Sequence, residues 1–134
     1  MKKVQTIHEE LARDLTEVFF KMVRENQLTS ANEIIRHVLY QKAPRFYVSF
    51  ENTRRHLSNL KKGTPIWEKN KNKKLLYAEL YRRWRAANGG KDYEKNSYVC
   101  LHDIISSQAP CFYIDSETAR GIIYKYLRRK RARA

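Results

Sequence analysis

Glycine and proline are scarce in this chain of 134 residues, with four glycines and three prolines, and so few glycines exclude a glycine-rich phosphate loop. Long apolar runs are missing too. None approaches the roughly 20 residues that cross a bilayer, and Glu9, Glu10 and Asp14 interrupt any apolar segment behind Met1-Lys2-Lys3-Val4, so no export is expected. Cysteine is limited to Cys100 and Cys111, which form no Cys-x-x-Cys pair and lack a zinc-ligand spacing with His102. They read as ordinary half-buried thiols of a reduced, cytoplasmic protein. The remaining histidines, His8, His37 and His56, are scattered, and His8-Glu9-Glu10 lacks the second histidine of a zinc motif. We therefore expect no metal, no cofactor and no catalytic residues. Gly121-Ile122-Ile123-Tyr124 resembles only superficially the first half of a GIY nuclease motif, and an enzyme is the least supported class.

Acidic residues are also in deficit: 14 stand against 28 basic ones, a net charge of +14. A pI near 10.0 favours phosphate backbones, anionic membrane surfaces or the partners of ribosomes and virus particles. A membrane surface fits least, because the basic helices lack the large apolar face that interfacial insertion requires.

What the chain does contain is a repeat. Ala43-Pro44-Arg45-Phe46-Tyr47-Val48-Ser49-Phe50-Glu51 returns 66 residues later as Ala109-Pro110-Cys111-Phe112-Tyr113-Ile114-Asp115-Ser116-Glu117, and Arg54 and Arg120 extend the match. Repetition at a fixed spacing is the mark of a duplicated structural unit. At the same offset Tyr77, Tyr81 and Trp84 stand where Leu11, Leu15 and Val18 stood. Each half alone would have a marginal core. We expect one domain of two units, residues 1–66 and 67–134.

Helical periodicity is clear from Ile7 to about Arg24, where Ile7, Leu11, Leu15, Val18, Phe19 and Met22 form one face and Glu9, Glu10, Arg13, Asp14 and Glu17 the other. Ser30-Ala31-Asn32-Glu33 is a capping box opening a second helix, with Ile34, Ile35, Val38 and Leu39 inward, that must stop before Pro44. Phe46-Tyr47-Val48 is β-prone but short, and Ser49 caps a third helix through Leu57 and Leu60 to Gly63. In the second unit a helix is expected over 69–87, ended by Asn88-Gly89-Gly90. Another, capped by Asn96 or Ser97, runs through Val99, Leu101, Ile104 and Ile105. A last one, capped by Asp115, has Ala119, Ile122, Ile123, Tyr126 and Leu127 on its apolar face and frays into a basic tail. The fold class is all-α, two three-helix units each with a short extended segment before its third helix. A pseudo-twofold pairing of the two extended boxes is an attractive variant.

Charge is uneven: residues 1–66 hold 12 basic and 7 acidic groups, residues 67–134 hold 16 and 7. Lys69, Lys71, Lys73, Lys74, Arg82, Arg83 and Arg85 crowd one helix, and the stretch from Lys125 to Ala134 has no acid. Such runs neutralise phosphates with little sequence preference; the alternative is a solvated face. Helix, extended box and capped helix together resemble a helix-turn-helix with a stretched turn, the helix after the box being the one that would enter a groove. The candidate contacts are Arg45, Arg54, Arg55, Lys61, Lys62, Lys73, Lys74, Arg82, Arg83, Arg120, Lys125, Arg128, Arg129, Lys130 and Arg131. Arginine can read guanine edges or clamp phosphate, and both stay open. Tyr47 and Tyr113 could stack on unpaired bases. The plainer reading puts Phe46 and Phe112 in the core and leaves Tyr47 and Tyr113 half exposed.

The paired Ala-Pro-x-Phe-Tyr box with its capped, glutamate-containing helix resembles that of small basic proteins of Bacteroides phages and mobile elements. The resemblance covers the box and its flanking helices. It implies a phage or mobile-element protein that binds the genome or is packed in the particle, located in the host cytoplasm or the virion. The expected activity is nucleic-acid binding, with double-stranded DNA the first partner. The alternative is a structural protein of the particle that binds acidic protein surfaces. Oligomeric state is not legible.

Overall fold

A computed structural model of the chain describes residues 6–25, 30–63, 70–87 and 100–133. Among them it contains six α-helices and no strand: α1 (Ile7–Glu25), α2 (Ala31–Val38), α3 (Phe50–Lys61), α4 (Lys71–Ala87), α5 (Leu101–Ile105) and α6 (Ser116–Arg133). The all-α expectation is met. Expected features at Asn88-Gly89-Gly90, Asn96, Ser97 and Val99, and the position of Lys69, lie outside the described residues.

Helix starts follow local hydrogen-bond chemistry, because the first amides of a helix need acceptors that the helix cannot supply. Ser30 Oγ accepts from Glu33 N at 3.1 Å, and Ser49 Oγ accepts from Asn52 N at 3.1 Å. Asp115 Oδ1 accepts from Thr118 N at 2.7 Å, which holds the Asp115 carboxyl below its ordinary pKa. Asn70 Oδ1 serves Asn72 N and Lys73 N ahead of α4. Beyond α3 the chain turns at Gly63, whose φ of +84° favours glycine.

Two departures concern the long helices. Asp14, expected on the polar face of α1, is only 8% exposed, because Tyr47 reaches it from the first box. The basic run from Arg128 does not leave the last helix: α6 continues through Arg133, its terminal cations lying at the end of the helix dipole that favours them.

Packing does not respect the sequence halves. α1 and α2 pack with α6, whereas α3 packs with α4 and α5; among the described residues α2 and α3 do not pack on each other. Each cluster therefore takes its third helix from the other half. The expected helix-turn-helix is corrected by this arrangement, since that motif needs its two helices against one another.

The boxes make the exchange possible. Pro44 and Pro110 keep the chain out of helix, and the boxes cross where Ala43 and Ala109, both buried, are small enough to let two backbones approach. Their amides bond reciprocally, Ala43 N to Ala109 O at 2.9 Å and Ala109 N to Ala43 O at 2.8 Å, in an isolated antiparallel bridge. Past the crossing, Phe46 stacks on Tyr113 with centroids 6.2 Å apart, and Tyr47 on Phe112 at 6.0 Å. Phe46 and Phe112 are 1% and 4% exposed, and the tyrosines are half-buried. The core runs through both clusters, with Leu15, Ile35, Leu57, Leu80, Trp84, Leu101 and Ile123 among its fully buried members.

Candidate nucleic-acid interface

The cations of the sequence divide into those the fold uses and those it leaves to solvent. Arg45 belongs to the first group. Its Nη1 lies 2.6 Å from Glu10 Oε2 and its Nε donates to the Phe46 carbonyl at 3.0 Å, with the guanidinium over the Tyr47 ring. Beside it, Tyr47 OH donates to Asp14 Oδ2 at 2.7 Å, and Arg13 Nε meets the other Asp14 oxygen at 3.0 Å. Alternation along the extended box sends Arg45 and Tyr47 to α1 and Phe46 the other way.

Arg83 is the counterpart in the second cluster. It pairs with Glu79 at 2.8 Å and donates from Nη1 to the Gln108 carbonyl at 2.8 Å and Ser107 Oγ at 3.2 Å. Its guanidinium sits 4.9 Å from the Phe46 centroid. Arg83 thus ties α4 to the first box and to the residues that lead into the second. Arg82 is exposed, yet it grips Glu79 with two bonds, Nε at 2.9 Å and Nη2 at 2.6 Å. The Arg82 hydrogen bonds foremost, then that of Arg83, hold the Glu79 carboxyl below its ordinary range. Arg54 pairs with Glu51 at 3.0 Å.

Tyr47 and Tyr113 are half-buried, as expected, but each ring is stacked on the phenylalanine of the opposite box. Burial foremost, with the Asp14 bond behind it, raises the Tyr47 pKa. Burial likewise pushes Tyr113 up to about 12. Both side chains remain neutral at physiological pH. Tyr113 also has a φ of 56°, a left-handed conformation uncommon outside glycine.

The second group is exposed. Among the described residues no ion pair engages Arg120, Lys125, Arg128, Arg129, Lys130 or Arg131, all on α6. Arg55 and Lys62 are exposed on and just after α3, and the Lys61 side chain lies outside the described residues. Lys73 and Lys74 are exposed in α4, whose first turn contains no acidic residue. Cations at that end oppose the helix dipole, so the fold gains nothing from them there.

Two concavities flank α6. One, of about 280 Å³, lies against α2 and is lined by Arg36 and Arg120 with Glu117 among the other walls. The larger, about 610 Å³, runs between α1 and α6, with Ala12, Gly121 and Ile122 in its lining and Lys125, Tyr126, Arg129 and Lys130 along α6. Sequence reasoning missed this groove, although an isolated glycine inside a helical pattern marks a position where packing or ligand approach needs explanation. It also read Arg83 as surface charge, though Glu79 stands at the i,i+3 and i,i+4 spacing that pairs with Arg82 and Arg83.

Among the described residues no His, Cys, Asp and Glu side chains are grouped so as to hold a metal ion, and no helix is long and apolar enough to cross a membrane. Fold and surface define an all-α protein in which α6 carries cations with no carboxylate partner among the described residues. No protein-family model, curated protein or solved structure matches the chain.

Proposed function

We propose that this is an internally duplicated protein that binds nucleic acid, with double-stranded DNA as its partner, through Lys and Arg contacts to phosphate from a pseudo-dimeric helical scaffold. The observation that carries the reading is the distribution of paired and unpaired cations. Carboxylates engage Arg45, Arg54, Arg82 and Arg83, whereas no carboxylate among the described residues pairs with the α6 cations. Their mutual repulsion is a cost that a polyanion would relieve. The lysines in the first turn of α4 point the same way, because they oppose their own helix dipole.

Within this reading the contact set is Arg120, Lys125, Arg128, Arg129, Lys130 and Arg131, with Arg55, Lys62, Lys73 and Lys74 contributing from the other cluster. Arg45 and Arg83 act in the fold instead. Duplication is supported by the repeated box and by the reciprocal stacking of Phe46 on Tyr113 and Tyr47 on Phe112. The biological setting is a phage or mobile element, in the host cytoplasm or the particle, and the chain binds without catalysing a reaction.

Titration of the purified chain against labelled random-sequence duplex at two salt concentrations tests the reading. Tight binding that weakens steeply with salt is expected. Absence of binding at low salt would overturn it and favour a structural protein that packs against acidic neighbours.

A further inference from the structure

We propose that the groove between α1 and α6 receives an unpaired nucleotide of a single-stranded nucleic acid, an inference that rests on the nucleic-acid reading above. At about 610 Å³ the groove falls in the size range of sites that enclose a small organic ligand. A duplex keeps its base faces stacked inside and offers a concavity only its phosphates, whereas an unpaired nucleotide can present base and phosphate together.

The lining matches that combination. Ile122 and Ala12 supply apolar surface, and the half-buried Tyr126 ring supplies a stacking face. The Lys130 ammonium now lies 5.4 Å from that ring's centroid; a base taking its place would release it toward a phosphate. Lys125 and Arg129 line the same groove with no ion pair among the described residues. Glu9, also in the lining, is occupied at the start of α1: its Oε2 accepts from Thr6 N at 3.4 Å, and its own amide donates to Thr6 Oγ1 at 3.1 Å. The carboxylate is held at the cap and the α6 cations are left for an anion.

Gly121 adds an independent observation. It sits within α6, where glycine is the poorest helix former after proline, and a β-carbon built there would meet nothing within 4 Å. Among the described residues no contact accounts for the missing side chain. The space it leaves opens into the groove.

The test uses the full chain and its Gly121→Leu variant, which adds a side chain to the groove lining at a position where a β-carbon meets nothing within 4 Å and should melt no lower than the parent. Binding is measured at low salt to labelled oligothymidylate, to a duplex of equal length, and to a polyglutamate peptide of equal charge. The expected result is that Gly121→Leu weakens oligothymidylate binding by at least about fivefold, the loss of one stacked base, while duplex affinity is unchanged. Tyr126→Leu, which keeps the bulk and removes the ring, should give a similar loss. Unchanged oligothymidylate binding in Gly121→Leu, or an equal loss for duplex, would overturn the proposal. A parent chain that binds duplex but not oligothymidylate would also overturn it and leave the nucleic-acid reading standing; binding to neither nucleic acid removes both. Polyglutamate binding as tight as oligothymidylate, and equally sensitive to Gly121→Leu, would assign the groove to an acidic protein segment instead.

Discussion

Arg83 and Arg129 are chemically alike and differ in what surrounds them. Arg83 satisfies the Gln108 carbonyl and Glu79 while covering Phe46, so Arg83→Ala leaves acceptors unpaired and should cost about 1–3 kcal/mol of stability. Arg129 is exposed, so Arg129→Ala should change stability by no more than about 0.5 kcal/mol and lower nucleic-acid affinity instead. Urea unfolding and a binding titration on both variants check the pair; the opposite pattern would reverse the assignment. Tyr47 is a second structural polar group. Tyr47→Phe keeps the stack on Phe112 but removes the bond to Asp14, and should cost about 1–3 kcal/mol in the same measurement. The tyrosines also set an alkaline limit. Their folded-state pKa values lie above the ordinary value of about 10, so from that pH upward the unfolded chain ionises first and stability falls, through about 12 for Tyr113. Melting temperatures across this range should fall less steeply in Tyr113→Phe than in the parent chain.

At the level of elements, the fold depends on the crossing of the two boxes. Ala43 and Ala109 are 0% and 1% exposed and bond to each other through both amides, leaving no room for a branched side chain. Ala43→Leu should therefore overpack the crossing and cost about 1–3 kcal/mol, read from the urea midpoint; a neutral result would mean that the boxes do not meet so closely. Much at this scale was legible in the sequence. Capping residues Ser30, Ser49 and Asp115 announced helix starts because their side chains serve amides only three residues away, and the alternation Phe46-Tyr47 announced which ring goes inward. The exchange of α3 and α6 was not legible, since the same caps and periodicities would serve a helix packed on either cluster. Nor was the burial of Asp14: a carboxylate on a helix reads as surface until a partner such as Tyr47, distant in sequence, is brought to it. The same limit applies to the candidate interface. Its cations could be counted from the sequence, but which of them are neutralised depends on contacts such as Arg45 with Glu10, 35 residues apart.

For the whole molecule, the net charge of +14 acts through where it is uncompensated. The fold neutralises arginines near the crossing and exposes those of α6, so binding should follow the α6 charges rather than the total. Removing a single cation from a phosphate reduces the slope of log affinity against log salt by about one. The most direct measurement is that slope for random-sequence duplex, taken for the parent chain and for a variant with Arg120, Lys125 and Arg129 changed to Gln. A steep slope is expected in the parent, shallower by about three in the variant, with the fold intact. A slope that does not change would contradict the placement of the phosphate-binding cations on α6, and no salt-dependent binding by the parent would contradict the nucleic-acid reading itself.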